Sequence, residues 1–119
     1  TLTYDGKDYE VRAEVGLMTR NVLIRGDKDS AKNKYGFHIM MRGSPETVRG
    51  RFSYIELFDC GQAFQMGRYP IHFHMIGNVM GSYLEGNSIH QSYNRGTTIH
   101  GVHYLKISKS VLIVELYLR

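Results

Sequence analysis

The sequence has no tryptophan, a single cysteine and only two prolines among 119 residues. One thiol, Cys60, excludes a disulfide framework within the chain, together with zinc knuckles and ribbons, which need several cysteines. A lone thiol in "LFDCGQ" is expected to be a small buried hydrophobe, kept reduced. Helical periodicity of apolar residues is nearly absent, which argues against a helix bundle. No apolar run reaches the roughly 20 residues that a membrane-spanning helix needs, and the best one, "SVLIVELYLR", is interrupted by Glu115. Neither GxGxxG nor a P-loop occurs, so no nucleotide or nucleic-acid partner is expected.

The charge balance excludes little. A net charge of +4 and a pI near 9.3 permit a polyanionic partner without requiring one. Lys28, Lys32 and Lys34 alternate with Asp27 and Asp29 in "GDKDSAKNKYG", which reads as a solvated loop. The length and 42% hydrophobic content suit one domain. The chain starts at Thr1 without an initiator Met, and strand-like sequence reaches both ends, so it is expected to be a piece of a larger polypeptide.

What is abundant is punctuation and strand. Thirteen glycines separate short segments rich in Val, Ile, Tyr and Phe, such as "NVLIRG", "RFSYIELFDCG", "YPIHFHMIG" and "TTIHGVHYLKI". This is all-β sequence. The segments also repeat. "IELFDCGQAFQMGRYPIHFH" and "SIHQSYNRGTTIHGVH" share an order: apolar strand, polar corner with an Arg, then a strand carrying Ile-His. Ile55 matches Ile89, Ile71-His72 matches Ile99-His100, Ile89 matches Val111, and "FHIMM" reads as a degenerate earlier copy. Units of this size, each with two or three short strands, suit a solenoid of stacked coils. The expected fold is a right-handed parallel β-helix, with a β-sandwich as the alternative.

Alternation then sorts the side chains. Tyr69, Ile71, Phe73 and Met75 share one face of their strand, and His72 and His74 take the other. The same parity turns Ile55, Ile89 and Ile99 inward and His90 and His100 outward. With Ile71 stacked on Ile99, His72 and His100 would be neighbours roughly 4.8 Å apart. The result is an outward histidine row on one sheet, and four readings of it stand open. The first is a merely polar outer face. The second is metal binding, with His72 and His74 chelating from one strand and His100 or His90 completing the set; no third-ligand spacing compels it, so no tightly held transition metal is expected. The third is proton transfer on a sugar, with Asp59 as the nearest strand-end carboxylate. The fourth is glycan binding, with Arg68 and Arg95, which precede the two Ile-His strands, meeting acidic groups.

"AEVGLMTRNVLIRGD", "YGFHIMM", "GRYPIHFHMIGN" and "GSYLEGNSIHQSYNRGTTIHGVHYL" resemble the parallel β-helix region of fibrocystin and fibrocystin-like proteins, which is related to that of the cell-migration-inducing and transmembrane hyaluronidases. The resemblance covers roughly residues 9 to 107. It implies a partial β-helix domain over 1–119, with 1–8 as the end of an upstream glycine-rich β-domain and 108–119 as a divergent or truncated last coil. It also implies an extracellular or cell-surface setting, within a secreted or single-span protein. The hyaluronidase branch depolymerises hyaluronan with calcium dependence; the fibrocystin branch has receptor-like or cell-coat roles. The short connection "GNVMGSYLEGNSIH", and Gly77-Asn78 where the hyaluronidases tend to have Gly-Asp, place this chain nearer the fibrocystin branch. The expected function is therefore a binding or cell-coat role toward an acidic polysaccharide such as hyaluronan, through Arg68, His90, Arg95 and His100. The alternative is hyaluronan depolymerisation by His72, His74 and Asp59. No cofactor is expected beyond the calcium that the resemblance implies.

Overall fold

The computed structural model describes residues 1–114. It opens with an antiparallel hairpin of β1 (Leu2–Tyr4) and β2 (Lys7–Tyr9). Asp5 and Gly6 join them, both at positive φ, as the favoured two-residue hairpin turn requires. The strands that follow fall into three parallel sheets. β3 (Val22–Arg25), β4 (Ile39–Arg42) and β5 (Arg51–Ser53) make one coil, with a single helical turn, α1 (Ser30–Asn33), between the first two. β6 (Ile55–Cys60), β7 (Ile71–Asn78) and β8 (Tyr83–Glu85) make the next. β9 (Ser88–Ser92), β10 (Thr97–His103) and β11 (Lys106–Ser108) make a third, and β12 (Val111–Val114) starts a fourth. Each strand pairs with its counterpart one coil away, giving sheets ordered β12-β9-β6-β3, β10-β7-β4 and β11-β8-β5. This is the parallel β-helix that the repeats imply, and crossovers between parallel strands take the right hand.

The core is a set of ladders running from coil to coil. Ile24, Leu57, Ile89 and Leu112 stack on the first sheet, Met41, Phe73 and Ile99 on the second, and Phe52, Leu84 and Ile107 on the third. Leu57, Ile71, Phe73, Leu84 and Ile89 of the middle coils are buried. Ile55 packs against them, while Ile99, on the inward parity, is half exposed. Asn87, buried at a corner, accepts from the Ile55 N–H at 3.2 Å and donates to the Phe52 carbonyl at 3.0 Å, so the turn between β5 and β6 keeps its polar groups paired. Cys60 is a free buried thiol, and burial foremost pushes its pKa up to about 12.

Three details differ from the sequence reading. Ile99 pairs with Phe73 rather than Ile71, and Ile89 pairs with Leu57 and Leu112 rather than Ile55 and Val111. The Ile-His likeness misaligned the first pair by two residues, because loop length varies between coils and leaves the register to be fixed by core packing. Met75 is exposed, not inward: at φ 51 it turns a corner inside β7, after which Ile76 is the buried residue. Tyr69 precedes Pro70 and the strand itself, and its ring goes to the outer side, against His72. Of the segment expected to be a divergent or truncated last coil, 108–119, the part up to Val114 includes β12, which pairs in parallel with β9; its remainder, 115–119, lies outside the described residues.

Candidate functional site

The outer face of the β10-β7-β4 sheet carries two ladders: Met40, His72 and Thr98, and beside it Arg42, His74 and His100. Parity puts both on the solvent side because their neighbours Ile71 and Phe73 fill the core. The face is not flat. Met66 and Gly67 of the preceding loop, with Tyr69 and Arg95 from two corners, wall it into a groove of about 580 Å³. His72, His74, Thr98 and His100 line its floor, and among the described residues no carboxylate lines it.

The three histidines converge. His72 and His74 meet edge-on with ring centroids 5.0 Å apart, His74 and His100 likewise at 5.0 Å, and His72 stacks near-parallel on His100 at 6.2 Å. One ring nitrogen of each lies within 4.8 Å of the others. His72 is only 3% exposed. Its Nδ1 lies 3.1 Å from the Gly67 carbonyl, which can only accept, so Nδ1 carries the proton and Nε2 the lone pair. That Nε2 is buried without a partner, as are His74 Nδ1 and Thr98 Oγ1. An unmet buried polar atom costs about 1–3 kcal/mol, and three on one floor form a concentration of unmet polarity. Burial foremost, then the neighbouring His74 and His100, holds the His72 pKa below the ordinary histidine value, although the Gly67 hydrogen bond opposes this. His72 is thus a neutral imidazole at pH 7.

At the groove wall the Arg95 guanidinium sits 5.5 Å over the Tyr69 ring, whose centroid lies 5.0 Å from that of His72. Arg68 donates to His38 Nε2 at 2.7 Å instead of lining the floor. Burial first, then the Arg68 charge, lowers the His38 pKa.

The remaining expected site residues are elsewhere. His90 is on β9, in a different sheet, so the predicted histidine row is divided: its Nε2 lies 2.8 Å from Glu56 Oε1 and its ring packs on Phe58. Asp59, on β6, is buried; it accepts from Tyr93 Oη at 2.6 Å and faces Arg25 at 3.5 Å. It does not line the histidine groove. The register brings His100 opposite His74 rather than His72, so of the two residues expected to complete the set it is His100, not His90, that joins the pair. Sequence reasoning missed Arg42, Met40 and Tyr69. The first two could have been found from the strand "IMMR", whose parity matches "IHFH" position by position; Tyr69 had no such signal, because Pro70 interrupts the alternation.

Comparison with known proteins adds the family context. The family model described as CEMIP beta-helix matches residues 34–114. Fibrocystin-L of Mus musculus is 35% identical across 91% of the chain, and cell surface hyaluronidase CEMIP2 of Homo sapiens 40% across 90%. A G8 domain-containing protein of Dictyostelium discoideum is 37% identical across 91%. The chain spans 3% of the length of that fibrocystin-L, and 9% of each of the other two.

Proposed function

The chain belongs to the CEMIP beta-helix family, and on that premise we propose that it is an extracellular β-helix module that binds an acidic polysaccharide along the groove of its middle sheet. The observation that carries this reading is the composition of the groove: histidines, Tyr69 and Arg95, with no carboxylate among the described residues that line it. Such a surface attracts a carboxylate-bearing sugar chain by charge and offers an aromatic ring for a sugar face. Arg42, exposed and in register with His74, extends the positive line along the sheet. The similarity to fibrocystin-L and to a cell surface hyaluronidase supports a cell-surface setting and a hyaluronan-like ligand. Among the described residues no helix is long and apolar enough to cross a membrane.

Hydrolysis is the second reading, favoured by the CEMIP2 similarity and by the neutral, lone-pair-bearing His72 as a proton acceptor. Against it stands Asp59, engaged by Tyr93 and Arg25 instead of facing these histidines. The deciding experiment gives the full-length protein long labelled hyaluronan, with and without calcium. Retention without shortening is expected, weakening as salt rises because exposed charges are screened beyond about 8 Å at physiological ionic strength. Arg95→Gln should weaken retention several-fold. Shortened chains, abolished by His74→Ala, would replace binding with catalysis as the function.

A further inference from the structure

We infer that His72, His74 and His100 form a three-nitrogen site for a zinc ion, with its fourth position open to the groove. Two independent observations carry this. The first is convergence: one nitrogen from each ring lies within 4.8 Å of the other two, although the residues come from two coils. Tetrahedral zinc with bonds of about 2.0–2.1 Å needs donors about 3.4 Å apart, so the three rings must draw together when the ion binds. The second is unmet polarity. His72 is almost wholly buried, its Nδ1–H is fixed on the Gly67 carbonyl, and its Nε2 lone pair meets nothing. A backbone carbonyl holding one ring nitrogen so that the other presents its lone pair is the outer-shell arrangement that orients histidine ligands on metals. His74 Nδ1 is likewise buried without a hydrogen-bond partner.

The donor set selects the ion. Three imidazoles without an oxygen ligand suit zinc among the abundant divalent cations, whereas calcium requires six to eight oxygens. The calcium implied by resemblance therefore finds no fit on this floor. Three neutral imidazoles leave the full 2+ charge uncompensated, so the fourth ligand is an anion or a polarised water. Thr98 Oγ1, in register with His72 and itself unpartnered, can hydrogen-bond that ligand. A sugar carboxylate entering the groove has the chemistry to occupy the position. The site shares its groove with the proposed glycan but does not depend on it.

The test uses full-length protein made without a histidine tag, stripped with a chelator and titrated with zinc against a chromophoric competitor in the absence of glycan. One equivalent of zinc should bind to wild type and be lost in His100→Asn, whose exposed ring can be changed without touching the core. At least a 100-fold weakening is expected there and in His74→Asn, with the circular dichroism spectrum unchanged. His90→Asn, in the other sheet, should keep the equivalent. Cobalt in place of zinc should give visible ligand-field bands that His100→Asn abolishes. Equal zinc uptake by wild type and His100→Asn, or wild-type binding only at millimolar zinc, would overturn the assignment. Because no glycan is present, that failure leaves the binding reading intact, and loss of hyaluronan retention leaves the zinc site intact.

Discussion

Glu56 shows how single residues on the outside of this solenoid are held. It accepts from the Arg20 backbone N–H at 3.0 Å and lies 2.8 Å from His90 Nε2, tying the segment before β3 to two stacked strands. Arg20 also donates to the Gly86 carbonyl at 2.7 Å. Burial works to raise the Glu56 pKa, but the Arg20 and His90 hydrogen bonds outweigh it, and the net effect is a carboxyl below its ordinary value of 4.5. A lowered folded pKa means that the folded state binds fewer protons than the unfolded chain. This contribution to stability is therefore present above pH 4.5 and is lost as pH falls through that value toward the folded one. Urea midpoints measured from pH 6 down to pH 4 should decline, and Glu56→Gln should flatten the decline while lowering the pH 6 stability by about 1 kcal/mol. An unchanged slope in the variant would assign the acid sensitivity to other groups. Nothing in the linear pattern signals this clip. His90 has the outward parity that alternation predicts, but its partner lies 34 residues away, and only the pairing of β6 with β9 brings them together.

At the scale of elements, the corners repeat as faithfully as the strands. Tyr54, Gly86 and Lys109 follow three paired strand ends, and all have positive φ; so do Met75 and Gly101, and Asp59 and Gln91, inside their strands. Stacked left-handed residues bend successive coils at the same points, so the bend propagates through the helix. This explains which parts were legible. Parity placed Ile71, Phe73, Ile89 and His72 correctly because it holds along a straight strand. It failed at Met75, where a non-glycine residue adopts the left-handed conformation without any composition signal. Where the chain passes behind such a corner, space vanishes. A Cβ on Gly36 would lie 2.1 Å from the Asp59 carbonyl oxygen, a backbone wall, whereas on Gly101 it would meet the flexible Met75 sulfur at 2.6 Å. Gly36→Ala should destabilise by more than about 3 kcal/mol, since the clash can be relieved only by moving two coils apart. Gly101→Ala should cost less, about 1–2 kcal/mol, mostly for its positive φ. Comparable denaturant midpoints for the two variants would show that the backbone wall yields.

The molecule as a whole is a stack of few coils, and its interior is satisfied only in the middle. Leu57, Ile71, Phe73 and Ile89 are buried, but the core ladders end in partly exposed side chains: Ile24 toward one end, Ile99, Ile107 and Leu112 toward the other. Ile99, Ile107 and Leu112 line, with Ile71 and Ile89, an apolar hollow of about 180 Å³ where a further coil would sit. In a solenoid each repeat is stabilised mainly through its neighbours, and terminal repeats need a cover with a polar outer face. Strand edges left open also invite pairing with another chain. These 119 residues produced alone should therefore be marginally stable and should self-associate end to end, with sedimentation coefficients rising over the micromolar range. Ile107→Lys should suppress that association, because a charge at the mouth of the hollow opposes burial against a second chain. It should leave the monomer's strand content intact, as Ile107 is already substantially exposed. A chain that stays monomeric at all concentrations would show that the hollow is closed by rearrangement of the last coil rather than by a neighbour. Association that survives Ile107→Lys would place the contact at the opposite end, where Leu23 and Ile24 are the apolar side chains to substitute.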